Sequence, residues 1–184
     1  MKFRNQLFFI VFIGLFTCHI SAQEPGQFKI AFGINAIDNS NAQKGPWAVE
    51  KLSFKTPFFI GAEYQVNNKW SFGVNATFNE LQVLEEEHTF FAIGADANYY
   101  IVSRDARNFI DFYAILGGSI NRISVDTGAT INPGLGFNYW FSDRLGVNVT
   151  TRANFSVEKQ ENTLVGSYYQ YNVGLIWRLG EVAL

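Results

Sequence analysis

Two long runs near the end of the chain alternate strictly between apolar and polar residues. They cover residues 130–141 and 145–155, and Ser142, Asp143 and Arg144 separate them. Successive side chains of a β-strand point to opposite faces, so this alternation predicts a long β-hairpin with one apolar and one polar face. The apolar face carries Ile131, Leu135, Phe137, Tyr139, Phe141, Leu145, Val147, Val149 and Phe155. The opposite face carries mainly Asn, Gly and Thr residues.

Six further segments show the same alternation, near residues 28–37, 58–66, 70–78, 91–101, 110–121 and 169–179. The eight predicted strands of about 10 to 14 residues exceed the five or six that are typical of globular proteins. Connections after the second, fourth and sixth strands are short. Those after the first, third, fifth and seventh are mostly longer and more polar, and residues 80–88 are predicted to form one of them. An even number of long strands with this asymmetry is typical of an outer-membrane barrel whose short turns face the periplasm.

A soluble barrel buries its apolar face, whereas a membrane barrel exposes that face to lipid. The interior of an eight-stranded barrel is only wide enough for its own side chains. The many large aromatic residues of the apolar face would overfill this volume, and the Gly, Asn, Ser and Thr residues of the other face fit it. We therefore predict that the aromatic face contacts lipid. Aromatic residues beside the short turns are expected to form an interfacial girdle, namely Trp70, Tyr99, Tyr139, Phe141 and Trp177.

The N-terminus has the parts of a secretory signal peptide. Lys2 and Arg4 precede an apolar run over residues 7–16, and the small residue Ala22 stands at the expected cleavage site. The run is well short of the roughly 20 residues that a membrane-spanning helix needs. Cys18 would suit a lipoprotein cleavage, but the residues just before it fit that pattern poorly. We predict a signal peptide over residues 1–22 and one domain over 23–184, an all-β, eight-stranded antiparallel up-and-down transmembrane β-barrel.

Composition narrows the classes of function. Charged residues make up 16% of the chain and aromatic residues 17%, whereas roughly a quarter of residues are charged in soluble domains. Cleavage after Ala22 removes Lys2 and Arg4 and moves the formal charge from −2 to −4. No basic patch then remains for nucleic acid. The single cysteine also leaves with the signal peptide, which excludes thiol and disulfide chemistry.

The predicted lumen carries three bases and three acids. They are Lys29, Arg152 and Arg178, with Glu63, Asp96 and Asp111. An unpaired charge in a confined, low-dielectric interior is costly, so we expect these residues to form a salt-bridged polar network that holds the lumen closed. Arg152 is expected to lie between Asp96 and Asp111. A gated or selective pore is the alternative.

Residues suited to catalysis are few. His88 is the only histidine after cleavage, and the adjacent Thr89 would point to the opposite side of a strand. Glu85, Glu86 and Glu87 could bind a divalent cation, although such a run is more typical of a solvated loop. We therefore predict no catalytic residue, no cofactor and no metal site, and we expect that the protein is not an enzyme.

The stretch Thr130-Ile-Asn-Pro-Gly-Leu-Gly-Phe-Asn-Tyr-Trp-Phe-Ser-Asp-Arg-Leu-Gly-Val-Asn-Val149 resembles the OmpA-type barrel domain of flavobacterial outer-membrane proteins. In that family a Gly-x-Gly strand ends in aromatic-Trp-Phe-Ser and is followed by Gly-Leu/Val-Asn-Val. The segments 32–38 and 171–180 also resemble its first and last strands. The resemblance implies an OmpA- or OmpX-like protein of a Gram-negative outer membrane, inserted by the barrel-assembly machinery and in contact with outer-membrane lipid and lipopolysaccharide.

Two features depart from that family. Its members usually continue into a peptidoglycan-binding domain, whereas this sequence stops just after the eighth strand, so a cell-wall tether is not expected. Barrel proteins also commonly end in an aromatic residue, and here Leu184 is last, so the assembly signal is expected at Trp177. The leading hypothesis is a structural barrel that supports envelope integrity and surface contacts. The alternatives are a passive pore for small solutes or ions, a lipid-modifying enzyme and a soluble barrel with an apolar ligand.

Overall fold

The structure, a computed structural model, describes residues 26–38, 52–83, 86–103, 109–157 and 166–179. The predicted signal peptide lies outside these ranges. The described residues form β1 (Gln27–Asp38), β2 (Leu52–Ser53), β3 (Phe58–Gln65), β4 (Trp70–Val83), β5 (Glu86–Val102), β6 (Ile110–Ile123), β7 (Asp126–Trp140), β8 (Leu145–Ser156) and β9 (Tyr168–Leu179). Among them, no helix is long and apolar enough to cross a membrane.

The strands form one antiparallel sheet that closes on itself. Sequential neighbours pair from β3 to β9, β1 pairs with both β3 and β9, and the two-residue β2 extends the sheet beside the end of β1. The eight long strands therefore make a closed up-and-down barrel, which confirms the predicted fold. Closure leaves the barrel wall without a free edge, as a lipid environment requires.

The strands are strongly staggered. Paired residues can be followed around the barrel from Gln27 back to Ile37 on the same strand, through Gln65, Ser71, Asn98, Ile115, Gly134, Arg152 and Gln170. One circuit through the eight long strands therefore returns to β1 ten residues beyond its starting point. A stagger of this kind tilts the strands by roughly 35–45° from the barrel axis. Residues far apart in the sequence consequently lie at the same height in the lumen.

The two faces of the sheet differ as the sequence predicts. Large apolar side chains on the outer face are exposed, among them Phe28, Phe32, Phe58, Trp70, Phe72, Tyr99, Tyr139 and Trp177. Polar side chains on the inner face are buried, among them Asn35, Thr77, Asn98, Asn121, Asn138, Thr150 and Asn172. The lumen nevertheless also contains the large side chains of Phe90, Tyr100, Tyr113, Trp140 and Tyr168.

Two predicted connections are wrong. Residues 80–88 are mostly strand, because β4 continues to Val83, β5 begins at Glu86, and Glu80 pairs with Thr89. The connection after β6, which was expected to be long, is a two-residue turn at Ser124 and Val125. Both hairpins continue beyond the apolar part of the outer face. The backbone hydrogen bonds of a ladder do not require apolar side chains, so the loss of alternation there did not mark the strand ends.

Candidate functional site

The inward-facing side chains fill the lumen in layers between its two ends. We call the end beside residues 66–69 and 141–144 the turn end and the opposite one the loop end. At the turn end, Trp140 is fully buried, and its Nε1 donates to Asp111 Oδ2 at 2.7 Å. Asn138 Nδ2 donates to the same oxygen at 3.1 Å. The Arg178 guanidinium lies over the Trp140 ring, 4.4 Å from its centroid, a favourable cation–π distance.

The next layer contains Lys29, Glu63 and Tyr100. Lys29 Nζ lies 3.1 Å from Glu63 Oε1 and donates to the Tyr100 hydroxyl at 2.7 Å. The Tyr100 hydroxyl in turn donates to Glu63 Oε1 at 2.5 Å. The Tyr100 ring packs on that of Tyr113, with 5.0 Å between ring centroids. This closed set of hydrogen bonds satisfies a lysine that is only 1% exposed.

Asp96 and Arg152 form a second ion pair above it. Arg152 Nη2 donates to Asp96 Oδ2 at 2.7 Å, and Asn75 Nδ2 donates to the same oxygen at 2.6 Å. Asp111 was expected to lie beside Arg152 as well. Asp96 pairs across the sheet with Gly117, however, six residues along β6 from Asp111, and Asp111 belongs to the turn-end layer. The six charged residues thus lie in three groups rather than in one cluster around Arg152.

The loop end is closed by neutral and apolar side chains. Ser119, Asn121, Thr130 and Asn132 share hydrogen bonds of 2.6–3.1 Å. Beyond them lies an apolar cap whose members are at most 4% exposed, namely Ile37, Leu81, Phe90, Ala92, Ile123 and Tyr168. Neither this cap nor the inward direction of Trp140 was predicted from the sequence. Alternation could have shown that they point inward, since Trp140 follows the inward-facing Asn138 by two residues. Large side chains were instead assigned to the outer face alone.

A cavity of about 50 Å³ lies in the charged layers, between the turn-end aromatic residues and the cap. Its lining includes Lys29, Glu63, Asn75, Asp96, Asn98 and Arg152. The two bases and two acids sum to zero formal charge. The lumen is therefore packed at both ends and roomier in the middle.

The predicted girdle residues lie on the outer face at the turn end. The rings of Trp70 and Tyr99 meet across β4 and β5, 5.0 Å apart and edge to face. Tyr139, Phe141 and Trp177 are each about half exposed beside the turn at residues 141–144. A second aromatic pair, Phe78 and Phe91, lies near the other end of the same hairpin with 5.6 Å between centroids. The two pairs bracket the apolar part of the outer face.

His88 lies at the loop end, where its Nδ1 is 3.0 Å from Ser124 Oγ. Ser124 occupies the β6–β7 turn with a φ of 53°. Glu87 forms an exposed ion pair with Lys55, and Glu85 lies outside the described residues. Within the described ranges, no group of three or more His, Cys, Asp or Glu side chains could hold a metal ion.

Comparison with known proteins identifies the fold. No protein-family profile and no curated protein sequence matches the chain. Among solved structures, the N-terminal β-barrel domain of Pseudomonas aeruginosa OprF has a TM-score of 0.57 at 11% identity and covers 86% of this chain and 100% of its own. The outer membrane protein OprG of the same organism has a TM-score of 0.60 at 11% identity and covers 89% of this chain and 100% of its own. Neisserial surface protein A has a TM-score of 0.58 at 18% identity and covers 86% of this chain and 99% of its own. The chain thus has the fold of OmpA-type eight-stranded outer-membrane barrels.

Proposed function

We propose that the protein is a structural barrel of a Gram-negative outer membrane, with a closed lumen, which supports envelope integrity and presents its loop end for surface contacts. The solved structures that share its fold are outer-membrane or surface proteins by their own descriptions. The exposed apolar outer face and the wall without a free edge support a lipid environment.

The packing at both lumen ends carries the proposal. Trp140 is fully buried at the turn end and Tyr100 in the layer next to it, and Phe90 and Ile37 are fully buried in the cap at the loop end. Side chains of this size leave no passage for hydrated ions at a constriction of an eight-stranded barrel. The ion pairs between them then serve the stability of the barrel rather than selection of a solute.

A non-enzymatic role is part of the proposal. The histidine that could act as a base lies at a strand end beside Ser124. We place the activity of the protein in its surfaces instead.

A passive pore for small solutes is the second candidate. The cavity of about 50 Å³ in the charged layers favours it, because a fully plugged lumen has no need for internal space. In this candidate the apolar cap would have to open.

Planar-bilayer recording separates the two candidates. For the purified, refolded protein we expect no stepwise conductance. Phe90→Ala/Trp140→Ala, which removes a large buried side chain at each end of the lumen, should show steps, whereas Phe90→Ala alone should not, because Trp140 still closes the turn end. Phe91→Ala/Tyr139→Ala is the matched control, since each of its residues is the outward-facing neighbour of a replaced one. Stepwise conductance of the wild-type protein would refute the closed lumen and favour the pore. Migration of the protein from the membrane fraction on a gel, compared before and after boiling, tests whether the chain folds as a barrel and whether it lies in the membrane.

A further inference from the structure

The ammonium of Lys69, in the turn between β3 and β4, lies against the outer face of the barrel. Lys69 Nζ is 5.9 Å from the centroid of the Tyr99 ring, within the range of a cation–π contact. Tyr99 is an exposed, outward-facing residue of the girdle, and its ring meets that of Trp70 edge to face. The charge therefore lies beside the aromatic girdle, at the boundary of the apolar outer face.

The backbone around Lys69 is fixed by hydrogen bonds. Asn67 Oδ1 accepts from the N–H groups of Lys69 and Trp70, and the Lys69 carbonyl accepts from the N–H of Tyr100 at 2.8 Å. Binding of a ligand by the ammonium then requires only the rotamers of the lysine side chain to be ordered. This lowers the entropic cost of binding.

The charge of Lys69 has no carboxylate beside it. Lys69 forms no ion pair with any residue that the structure describes. Two cations of the loop end are engaged within the chain, since Lys55 pairs with Glu87 and Arg122 Nε donates to the Ser124 carbonyl at 2.9 Å. The negative charge that would complement Lys69 can therefore come from a ligand.

The surroundings of the ammonium match an anionic glycerophospholipid. A lipid against the outer face places its acyl chains on the apolar side chains and its headgroup at the height of the girdle. The lysine ammonium has three N–H donors, and phosphate oxygens are strong acceptors. Lysine side chains at membrane boundaries extend along apolar surface to bring the ammonium to the headgroups.

We propose that Lys69, together with Trp70 and Tyr99, forms a binding site for the headgroup of one anionic glycerophospholipid in the leaflet at the turn end. The inference rests on the membrane location in the proposed function. It concerns lipid outside the wall, so it holds for a closed lumen and for a conducting one. A lysine near an anionic headgroup typically gives about a fivefold preference over a headgroup without net charge.

The test uses the ¹⁵N-labelled protein in lipid nanodiscs of phosphatidylcholine, in which phosphatidylglycerol replaces an increasing fraction of the lipid. Both lipids carry a phosphate, but only phosphatidylglycerol has a net negative charge. We expect saturable shifts of the Trp70 indole N–H and Tyr99 backbone N–H resonances, with about a fivefold preference for phosphatidylglycerol. High salt should weaken the preference, because the lysine is exposed to solvent.

Lys69→Gln removes the charge, keeps a side chain of similar length and leaves the turn hydrogen bonds in place, so it should abolish the shifts. Lys55→Gln is the matched control and should retain them. Inorganic phosphate should cause no shift, because it has no acyl chains to hold it at the girdle.

Equal shifts in the wild-type protein and Lys69→Gln, or shifts that inorganic phosphate reproduces, would overturn the lipid site. So would a folded barrel that does not respond to phosphatidylglycerol, and in that case the proposed function would stand. A chain that does not fold in the nanodiscs would contradict the proposed function and the lipid site together.

Discussion

A large inward side chain in this lumen commonly lies opposite a glycine. Tyr113 pairs across the sheet with Gly136, and a Cβ on Gly136 would lie 2.1 Å from the tyrosine ring. Asp96 pairs with Gly117, where a Cβ would lie 2.1 Å from its Oδ1. Alternation of large and small residues is how a narrow barrel interior is filled. At the scale of single residues, these glycines provide volume for the side chains opposite them.

Arg152 tests whether the buried charges stabilise the barrel. In Arg152→Met, Asp96 would remain buried without its charge partner, and breaking such a pair from one side typically costs about 3–5 kcal/mol. We expect a clearly lower midpoint of urea unfolding, followed by tryptophan fluorescence. The double variant Asp96→Asn/Arg152→Met carries neither charge and should recover most of the loss.

Thr151→Met serves as the control for Arg152→Met, because Thr151 is the adjacent residue and faces outward. It should change the midpoint little. If the double variant were no more stable than Arg152→Met, the ion pair would not be the source of the effect.

The turns after β3 and after β7 are each stabilised by a side-chain oxygen near their start. Asn67 Oδ1 accepts from the backbone N–H groups of Lys69 at 2.8 Å and Trp70 at 2.9 Å. Ser142 Oγ accepts from those of Arg144 at 3.3 Å and Leu145 at 3.0 Å. Asn and Ser favour turns through such local bonds. At the scale of elements, they fix the point at which β3 returns as β4 and β7 returns as β8.

Asn67→Ala should destabilise the β3–β4 hairpin. It removes two hydrogen bonds in an exposed turn, and a typical net value of about 1 kcal/mol for a hydrogen bond predicts a loss of that order. The measurement is the urea midpoint together with the yield of refolded barrel. Asn67→Asp keeps an acceptor oxygen and should retain most of the stability. An equal loss in Asn68→Ala, at the exposed next position, would contradict the specific role of Asn67.

For the whole molecule, alternation was sufficient to predict the barrel and its lipid-facing side. Large apolar residues such as Phe72 and Tyr99 recur at every second position because the lipid-facing side of each strand favours them, and this repeat is visible in the sequence. The stagger of ten residues is set by pairing around the complete barrel and has no local pattern in the sequence. The sequence therefore identified Asp96, Asp111 and Arg152 as inward residues but could not show which of them meet. The apolar cap was missed for a different reason, because large side chains were assigned to the outer face alone, although Phe90 and Ile123 pair directly across the neighbouring strands β5 and β6.

The orientation of the barrel is predicted from its two unlike ends. Short turns with adjacent Trp and Tyr residues are expected on the periplasmic side. Lys69 should therefore face the periplasm. Val125, which is 82% exposed in the β6–β7 turn, should face the cell exterior. Single-cysteine variants test this in a Cys18→Ser background, which removes the one native cysteine. With a membrane-impermeant maleimide, Val125→Cys should label in intact cells and Lys69→Cys only after lysis. The reverse pattern would invert the barrel and place the proposed surface contacts at its turn end.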